Sequence, residues 1–164
     1  MYSHILVPID GSAIASRALD EALTLAHDTG TQIQALYVID APPVSAQASP
    51  YYYQNFHNAY AIEGKAVCAE AASRMERTDF RGSTRVVEVN LVDDDLAQRI
   101  AGSAREFGAD LIVMGTHGRR GWRRLALGSV AERLVRLASC PVLLVPARSH
   151  ERPYGTTALE ETTS

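Results

Sequence analysis

Short apolar runs alternate along this chain with segments of helical period, and that alternation constrains the fold more than any other feature. His4 to Ile9 is apolar from its second residue onward, which predicts a strand buried on both faces. Asp10-Gly11-Ser12 is the turn that follows, with Ser12 placed to cap a helix. In that helix Ala15, Leu19, Ala22, Leu23 and Ala26 share one face, and Gly30 is the expected stop. Strands are predicted at Gln32–Ile39, Thr84–Leu91, Leu111–Met114 and Val142–Val145. A second helix is expected over about residues 59–78, with Ala66, Ala69, Ala72 and Met75 toward the sheet. Asp93, Asp94 and Asp95 cap a third, which buries Leu96, Ile100, Ala104 and Phe107 and ends at Gly108. A fourth, Ser129 to Ala138, turns Val130, Leu134, Leu137 and Ala138 to the sheet. Strand–helix alternation of this kind specifies a doubly wound α/β domain: a five-stranded parallel sheet with helices on both faces.

The segment from Asp40 to Asn58 breaks the rhythm. Its prolines and its Ser, Ala and Gln residues predict a long loop, followed by an aromatic cluster of Tyr51, Tyr52, Tyr53, Phe56, His57 and Tyr60. Either the cluster covers a ligand or another subunit, or it is an aromatic helix entry packed on the domain; the second reading is preferred. Gly64, inside the second helix, is expected to weaken it by about 1 kcal/mol against alanine.

Composition closes off several classes. A chain of 164 residues fits one domain with a substantial core. A net charge of −3 offers no overall attraction to nucleic acid or to an anionic membrane. The two cysteines, Cys68 and Cys140, lie far apart without ligand spacing, so reduced thiols are expected. No apolar run approaches membrane-spanning length, and the run after Met1-Tyr2-Ser3-His4 is too short for a secretory core. A cytoplasmic location is therefore the expectation. The domain is expected over residues 1–147, with a polar, flexible tail over 148–164.

The chemistry concentrates in Met114-Gly115-Thr116-His117-Gly118 and, after nine residues, Gly128-Ser129-Val130-Ala131-Glu132. Gly115 and Gly118 end a strand and let backbone N–H groups come close to a bulky anion. Ser129 and Glu132 have the spacing of a capping box at the start of a helix, and a helix N-terminus attracts anions. A polyphosphate carrying a nucleoside suits two such donor sets. The spacing G-x2-G-x9-G-[ST] resembles the nucleotide-binding signature of the universal stress protein family. The opening Ile5-Leu6-Val7-Pro8-Ile9-Asp10-Gly11-Ser12, the central Leu111–Gly115 and the closing Cys140-Pro141-Val142-Leu143-Leu144-Val145 are similar to that family's hallmark segments, in order, over Tyr2 to Pro146.

The resemblance implies a Rossmann-like strand order of 3-2-1-4-5, a regulatory ATP-binding protein of the stress response, and a homodimer. Order 3-2-1-4-5 reverses between the first and fourth strands, where α/β sheets bind ligands. The family pattern implies Pro8, Ile9 and Asp10 beside base and ribose, Val38 reading adenine through its backbone, and Met114 against the sugar or base. It also implies the N–H groups of Gly115, Gly118, Gly128, Ser129 and Val130 around the phosphates. His117 is a further phosphate contact or a surface residue, and Asp10 binds ribose, holds Mg²⁺ with the nucleotide, or caps the first helix. Arg119 and Arg120, with Arg123 and Arg124, are available to clamp a terminal phosphate or form a solvated basic loop. Trp122 among them raises a nucleic-acid surface, which the net charge disfavours. Asp93 to Asp95 invite a metal reading, but no convergent partners accompany them. Val142–Val145 is expected at an unprotected sheet edge that pairs with its two-fold mate. The alternatives are a slow ATPase or autophosphorylating enzyme using the same site, and a nucleotide-free scaffold, which the retained glycines disfavour. The Walker lysine motif is absent, and the SGGxDS loop of ATP-pyrophosphatases is not matched at Asp10-Gly11-Ser12.

Overall fold

The central strand β1 (His4–Ile9) pairs in parallel with β2 (Gln32–Ile39) along its whole length, from His4↔Gln32 to Ile9↔Tyr37. On its other side it pairs with β4 (Leu111–Gly115) only at Ile5↔Leu111 and Leu6↔Ile112. Pro8 follows two residues later and has no N–H with which to extend that ladder. The two strands therefore part at their carboxyl ends. Outer strands β3 (Ser83–Glu88) and β5 (Val142–Val145) complete a sheet of order β3-β2-β1-β4-β5. This description comes from a computed structural model covering residues 1–27, 30–40, 50–80, 82–89, 94–118 and 127–147, without the side chains of residues 50–53 and 56. The expected tail and the arginine segment 119–126 lie outside the described residues.

Alternate residues of β1 feed two cores. Ile5, Val7 and Ile9 pack with Ala18, Leu19 and Ala22 of α1 (Ala13–Ala26) and with Cys68, Ala71 and Met75 of α2 (Pro50–Arg77). Leu6 faces the other way. It joins Leu36, Ile112 and Met114 with Ala97, Ile100, Ala101 and Ala104 of α3 (Leu96–Phe107) and Ala131 and Leu134 of α4 (Ser129–Leu137). Helices thus cover both faces of a parallel sheet, as the alternation of strands and helices predicts.

Helix ends follow local chemistry. Ser12 Oγ accepts from the N–H of Ala15 at 3.2 Å, and Asp10 Oδ1 accepts from the N–H of Ser12 at 2.9 Å, so turn and cap are one unit. The helix stops at Ala26, four residues before Gly30, whose φ of 69° serves the turn into β2. Asp95 caps α3 in a capping box: Gln98 N–H donates to Asp95 Oδ1 at 2.9 Å, and Asp95 N–H donates to Gln98 Oε1 at 3.0 Å. Gly108 ends that helix in the left-handed region, φ 72°.

Several sequence expectations are corrected. The aromatic cluster belongs to α2, which begins at Pro50 and not near residue 59. Proline at the first position of a helix lacks only an N–H that would have no acceptor there, so Pro50 starts the helix where composition reads as a loop. The buried face of α2 is Gly64, Cys68, Ala71 and Met75; Ala66 and Ala69 are exposed, and Ala72 is half-buried. Strand β3 ends at Glu88, ahead of the expected Leu91. In α4 the buried residues are Ala131 and Leu134, and Leu137 is exposed.

Gly64 illustrates how context reverses a propensity. A Cβ there would lie 2.7 Å from Tyr37 Cδ1. That ring is 4% exposed, and its hydroxyl donates to Glu63 Oε2 at 3.3 Å, so it has little freedom to move away. Helix propensity favours alanine by about 1 kcal/mol, whereas overpacking costs about 1–3 kcal/mol. Gly64→Ala is therefore expected to lower the urea unfolding midpoint; a raised midpoint would show that Tyr37 yields.

Asp110 ties β4 to the start of β1. Its Oδ2 and Oδ1 accept from the N–H groups of Ser3 at 2.8 Å and His4 at 2.9 Å. Partial burial alone would raise its carboxyl, but these two donors outweigh it and hold the group below the ordinary carboxylate range. A depressed folded-state value means stability present above the unfolded value and lost as pH falls through the folded one. Asp110→Ala is expected to lower unfolding free energy at pH 7 by about 1–2 kcal/mol. The gap from the parent should close as pH drops below the carboxylate range; a gap unchanged by acid would rule out the ionised carboxylate as its origin.

Candidate functional site

The parting of β1 and β4 opens a cleft of about 450 Å³ at the carboxyl edge of the sheet. That size lies in the range of small-molecule sites. Its lining brings together Pro8, Ile9 and Asp10 after β1, Val38 on β2, Met114, Gly115, His117 and Gly118 around the end of β4, and Gly128, Ser129 and Val130 at the start of α4. Residues that read in the sequence as two distant motifs thus share one wall. Arg119 and Arg120 lie outside the described residues.

The wall is built by close backbone approach. Thr116 N–H donates to Val145 C=O at 2.9 Å, prolonging the β4–β5 ladder, and Thr116 C=O accepts from Gly128 N–H at 2.8 Å. A Cβ on Gly128 would lie 3.0 Å from that Thr116 oxygen. At Gly115 a Cβ would lie 2.4 Å from Ile14 Cγ2, and at Gly118 one would lie 3.1 Å from Asp10 Oδ2. A side chain is thus crowded out at Gly115 by Ile14 and at Gly128 by the Thr116 backbone, whereas at Gly118 it would meet only the end of the Asp10 side chain.

This geometry revises two expected roles. Gly128, not Ser129, is the N-cap of α4, and no side chain caps that end. Gly128 cannot offer its N–H to a ligand, because Thr116 already holds it. Glu132 N–H bonds the Gly128 carbonyl at 2.9 Å, so Ser129, Val130 and Ala131 form the first turn, whose N–H groups have no intrahelical acceptor. Those groups point out of the helix start at its positive end. The Ser129-x-x-Glu132 spacing misleads because Glu132 instead pairs with Arg136 at 2.6 Å, one turn further on.

Tyr60, of the aromatic cluster read as either a ligand cover or a packed helix entry, reaches the cleft from α2. Sequence reasoning missed Leu96 and Ile100 from α3, with Leu36, Tyr37, Asp40 and Ala131 further along the wall. Leu96 and Ile100 read as core because their i,i+4 spacing is that of any buried helix face. Asp40 carried a signal: it is a carboxylate directly after a strand end, at the edge where ligands bind.

The described lining holds the carboxylates of Asp10 and Asp40 and no lysine or arginine. His117 supplies the one side-chain nitrogen among its described residues, with Nδ1 3.1 Å from Thr116 Oγ1. No group of three or more His, Cys, Asp or Glu residues suited to a metal occurs among the described residues. A divalent cation could be held by Asp10 only together with oxygens from a ligand. Neither cysteine lines the cleft; burial raises both thiols, with the Asp110 charge adding to the effect at Cys140. Thiolate chemistry at neutral pH is thereby disfavoured.

The sequence profile of the universal stress protein family matches residues 1–146. The chain belongs to that family. A universal stress protein of Methanocaldococcus jannaschii is 30% identical over 145 residues, 88% of this chain and 82% of that protein. A crystal structure of a universal stress protein family member from Burkholderia pseudomallei shows 42% identity and a TM-score of 0.69, covering 89% of this chain and 97% of that one. Another universal stress protein, solved in complex with cAMP, is 25% identical with a TM-score of 0.62, covering 88% of this chain and 97% of that one. The parallel order β3-β2-β1-β4-β5 with four helices is the Rossmann-like architecture of this family.

Proposed function

We propose that this universal stress protein binds an adenine nucleotide in the cleft between β1 and β4, and that ATP with Mg²⁺ is the form held, as a regulatory signal with little or no turnover. The observation that carries the proposal is the convergence of the strand-end glycines and the first turn of α4 on one cleft beside two carboxylates. The similar structure solved with cAMP supports the adenine nucleotide class. Base and ribose would lie against Pro8, Ile9, Val38 and Met114, with the phosphates toward the N–H groups of Gly118, Ser129 and Val130. Gly115 shapes this wall, and Ala131 adds a third N–H from the helix start. Mg²⁺ would offset phosphate charge beside Asp10, whose Oδ1 is already committed to Ser12. That bond fixes the Asp10 carboxylate in the turn at the edge of the cleft. Arg119 and Arg120 are proposed to close on the terminal phosphate.

Heat-released extracts of the purified protein should contain an adenine nucleotide by mass spectrometry, and titration with Mg-ATP should saturate without release of inorganic phosphate. Gly128→Val should lose at least about tenfold in ATP affinity, equivalent to about 1.4 kcal/mol. A Gly128→Val protein that melts normally and binds ATP like the parent would remove the site assignment.

We also propose a cytoplasmic homodimer joined through β5. This strand forms one edge of the sheet, and Leu143 on it is 40% exposed. An apolar edge with unpaired backbone groups is a template for a second copy. Light scattering should give a dimer mass that Leu143→Lys reduces to a monomer; a parent that is monomeric at micromolar concentration contradicts the assembly.

A further inference from the structure

Tyr60 of α2 belongs to two environments. It packs against the core that β1 shares with α1 and α2, and it also lines the cleft. The residue is only half-buried, so what the core leaves uncovered of it borders the open cleft. The cleft straddles the carboxyl edge of the sheet. Val38, Leu96 and Met114 come to it from the α3–α4 core, whereas Ile9, Tyr37 and Tyr60 come from the opposite core. Of the two tyrosines, Tyr37 is 4% exposed and its hydroxyl donates to Glu63. Tyr60 is therefore the one Tyr, Phe or Trp in the described lining with surface left for a ligand.

The turn of α2 that carries Tyr60 is anchored before and after it. Three residues earlier, His57 Nε2 lies 3.0 Å from Glu88 Oε2 at the end of β3. Three residues later, Glu63 accepts from Tyr37. Gly64 follows, so close to the Tyr37 ring that a Cβ would lie 2.7 Å from it. Positions three and four apart share one helix face, so these contacts fix the face on which Tyr60 stands. A side chain held in place before binding loses little freedom when a ligand arrives.

Resting on the binding reading above, we infer that Tyr60 stacks on the nucleobase and makes the site prefer nucleotides to bare polyphosphates. That reading gives the base no aromatic neighbour, only Pro8, Ile9, Val38 and Met114. A base presents a flat π-face, which an aromatic side chain covers with a larger and more specific contact than an aliphatic one. Stacking of this kind accepts any base, so Tyr60 reads the presence of a base more than its identity.

Mg-tripolyphosphate carries phosphates without a base, so its binding compared with that of Mg-ATP isolates the contribution of the base. Tyr60→Leu should weaken Mg-ATP binding by about ten- to a hundredfold, the range for removing a ring stacked on a base, and leave Mg-tripolyphosphate unchanged. Tyr60→Phe, which keeps the ring, should stay within about twofold of the parent for both ligands. Because Tyr60 also touches the core, the parent supplies an independent reading. Isotope-filtered NMR of its Mg-ATP complex should show nuclear Overhauser contacts between the Tyr60 ring, assigned from the Tyr60→Phe spectrum, and the ring protons of adenine. Absence of such contacts, an equal loss of both ligands in Tyr60→Leu, or a loss in Tyr60→Phe as large as that in Tyr60→Leu overturns the inference while leaving nucleotide binding intact. A parent protein that does not bind Mg-ATP overturns the binding reading first, and this inference with it.

Discussion

One hydrogen bond joins the two halves of the site: the N–H of Gly128 to the carbonyl of Thr116, 2.8 Å long. It docks the first turn of α4 against the end of β4, at a spacing that leaves a Cβ on Gly128 only 3.0 Å from the acceptor. Thr116 is in turn fixed to β5 through Val145. The sheet edge, the loop after β4 and the helix start are therefore one rigid unit. Because Gly128 is engaged, the N–H groups without an intrahelical acceptor at this helix start are those of Ser129, Val130 and Ala131. Opposite this unit, β1 leaves β4 before Pro8, and the gap becomes the cleft. Packing supplies the donor wall, and the missing N–H of a proline accompanies the opening.

The charge arrangement in that cleft is unusual for an anion site, since its described side chains include two carboxylates and one imidazole but no permanent cation. Neutral amides at a helix start stabilise an anion without competing for the carboxylates nearby. A divalent cation carried by the ligand would reconcile phosphate with Asp10, and its loss would leave like charges facing each other. Such a site suits a protein that senses a bound nucleotide. In the proposed binding mode the ligand would be held by shape and dipoles, and Asp10 Oδ1 serves the turn after β1.

Much of the architecture was legible in the sequence because strands buried on both faces are continuously apolar, as in Ile5–Ile9 and Leu111–Met114. The glycine spacing marked two segments that line one cleft, because glycines at close approaches leave a pattern of absent side chains. Misreadings arose where one residue type serves two ends. Pro50 opens a helix, though prolines nearby read as a loop; Ala66 and Ala69 have the composition of a buried face, but α2 is rotated so that Gly64 meets Tyr37. Ser129 looks like a cap because serine usually is one, yet the preceding glycine can approach Thr116 and takes that position. The contribution of Leu96 and Ile100 to the cleft was not legible, because it depends on how helices lie across the sheet.

The central claim is that backbone N–H groups from two separated segments converge on one anionic ligand. Amide chemical-shift mapping on isotopically labelled protein tests it most directly, as Mg-ATP is added to saturation. The account predicts that the largest shifts fall together on Gly118, Ser129, Val130 and Ala131, with α2 beyond Cys68 and the outer face of β5 unmoved. Saturable shifts confined to another surface, or shifts on only one of the two segments, would contradict it.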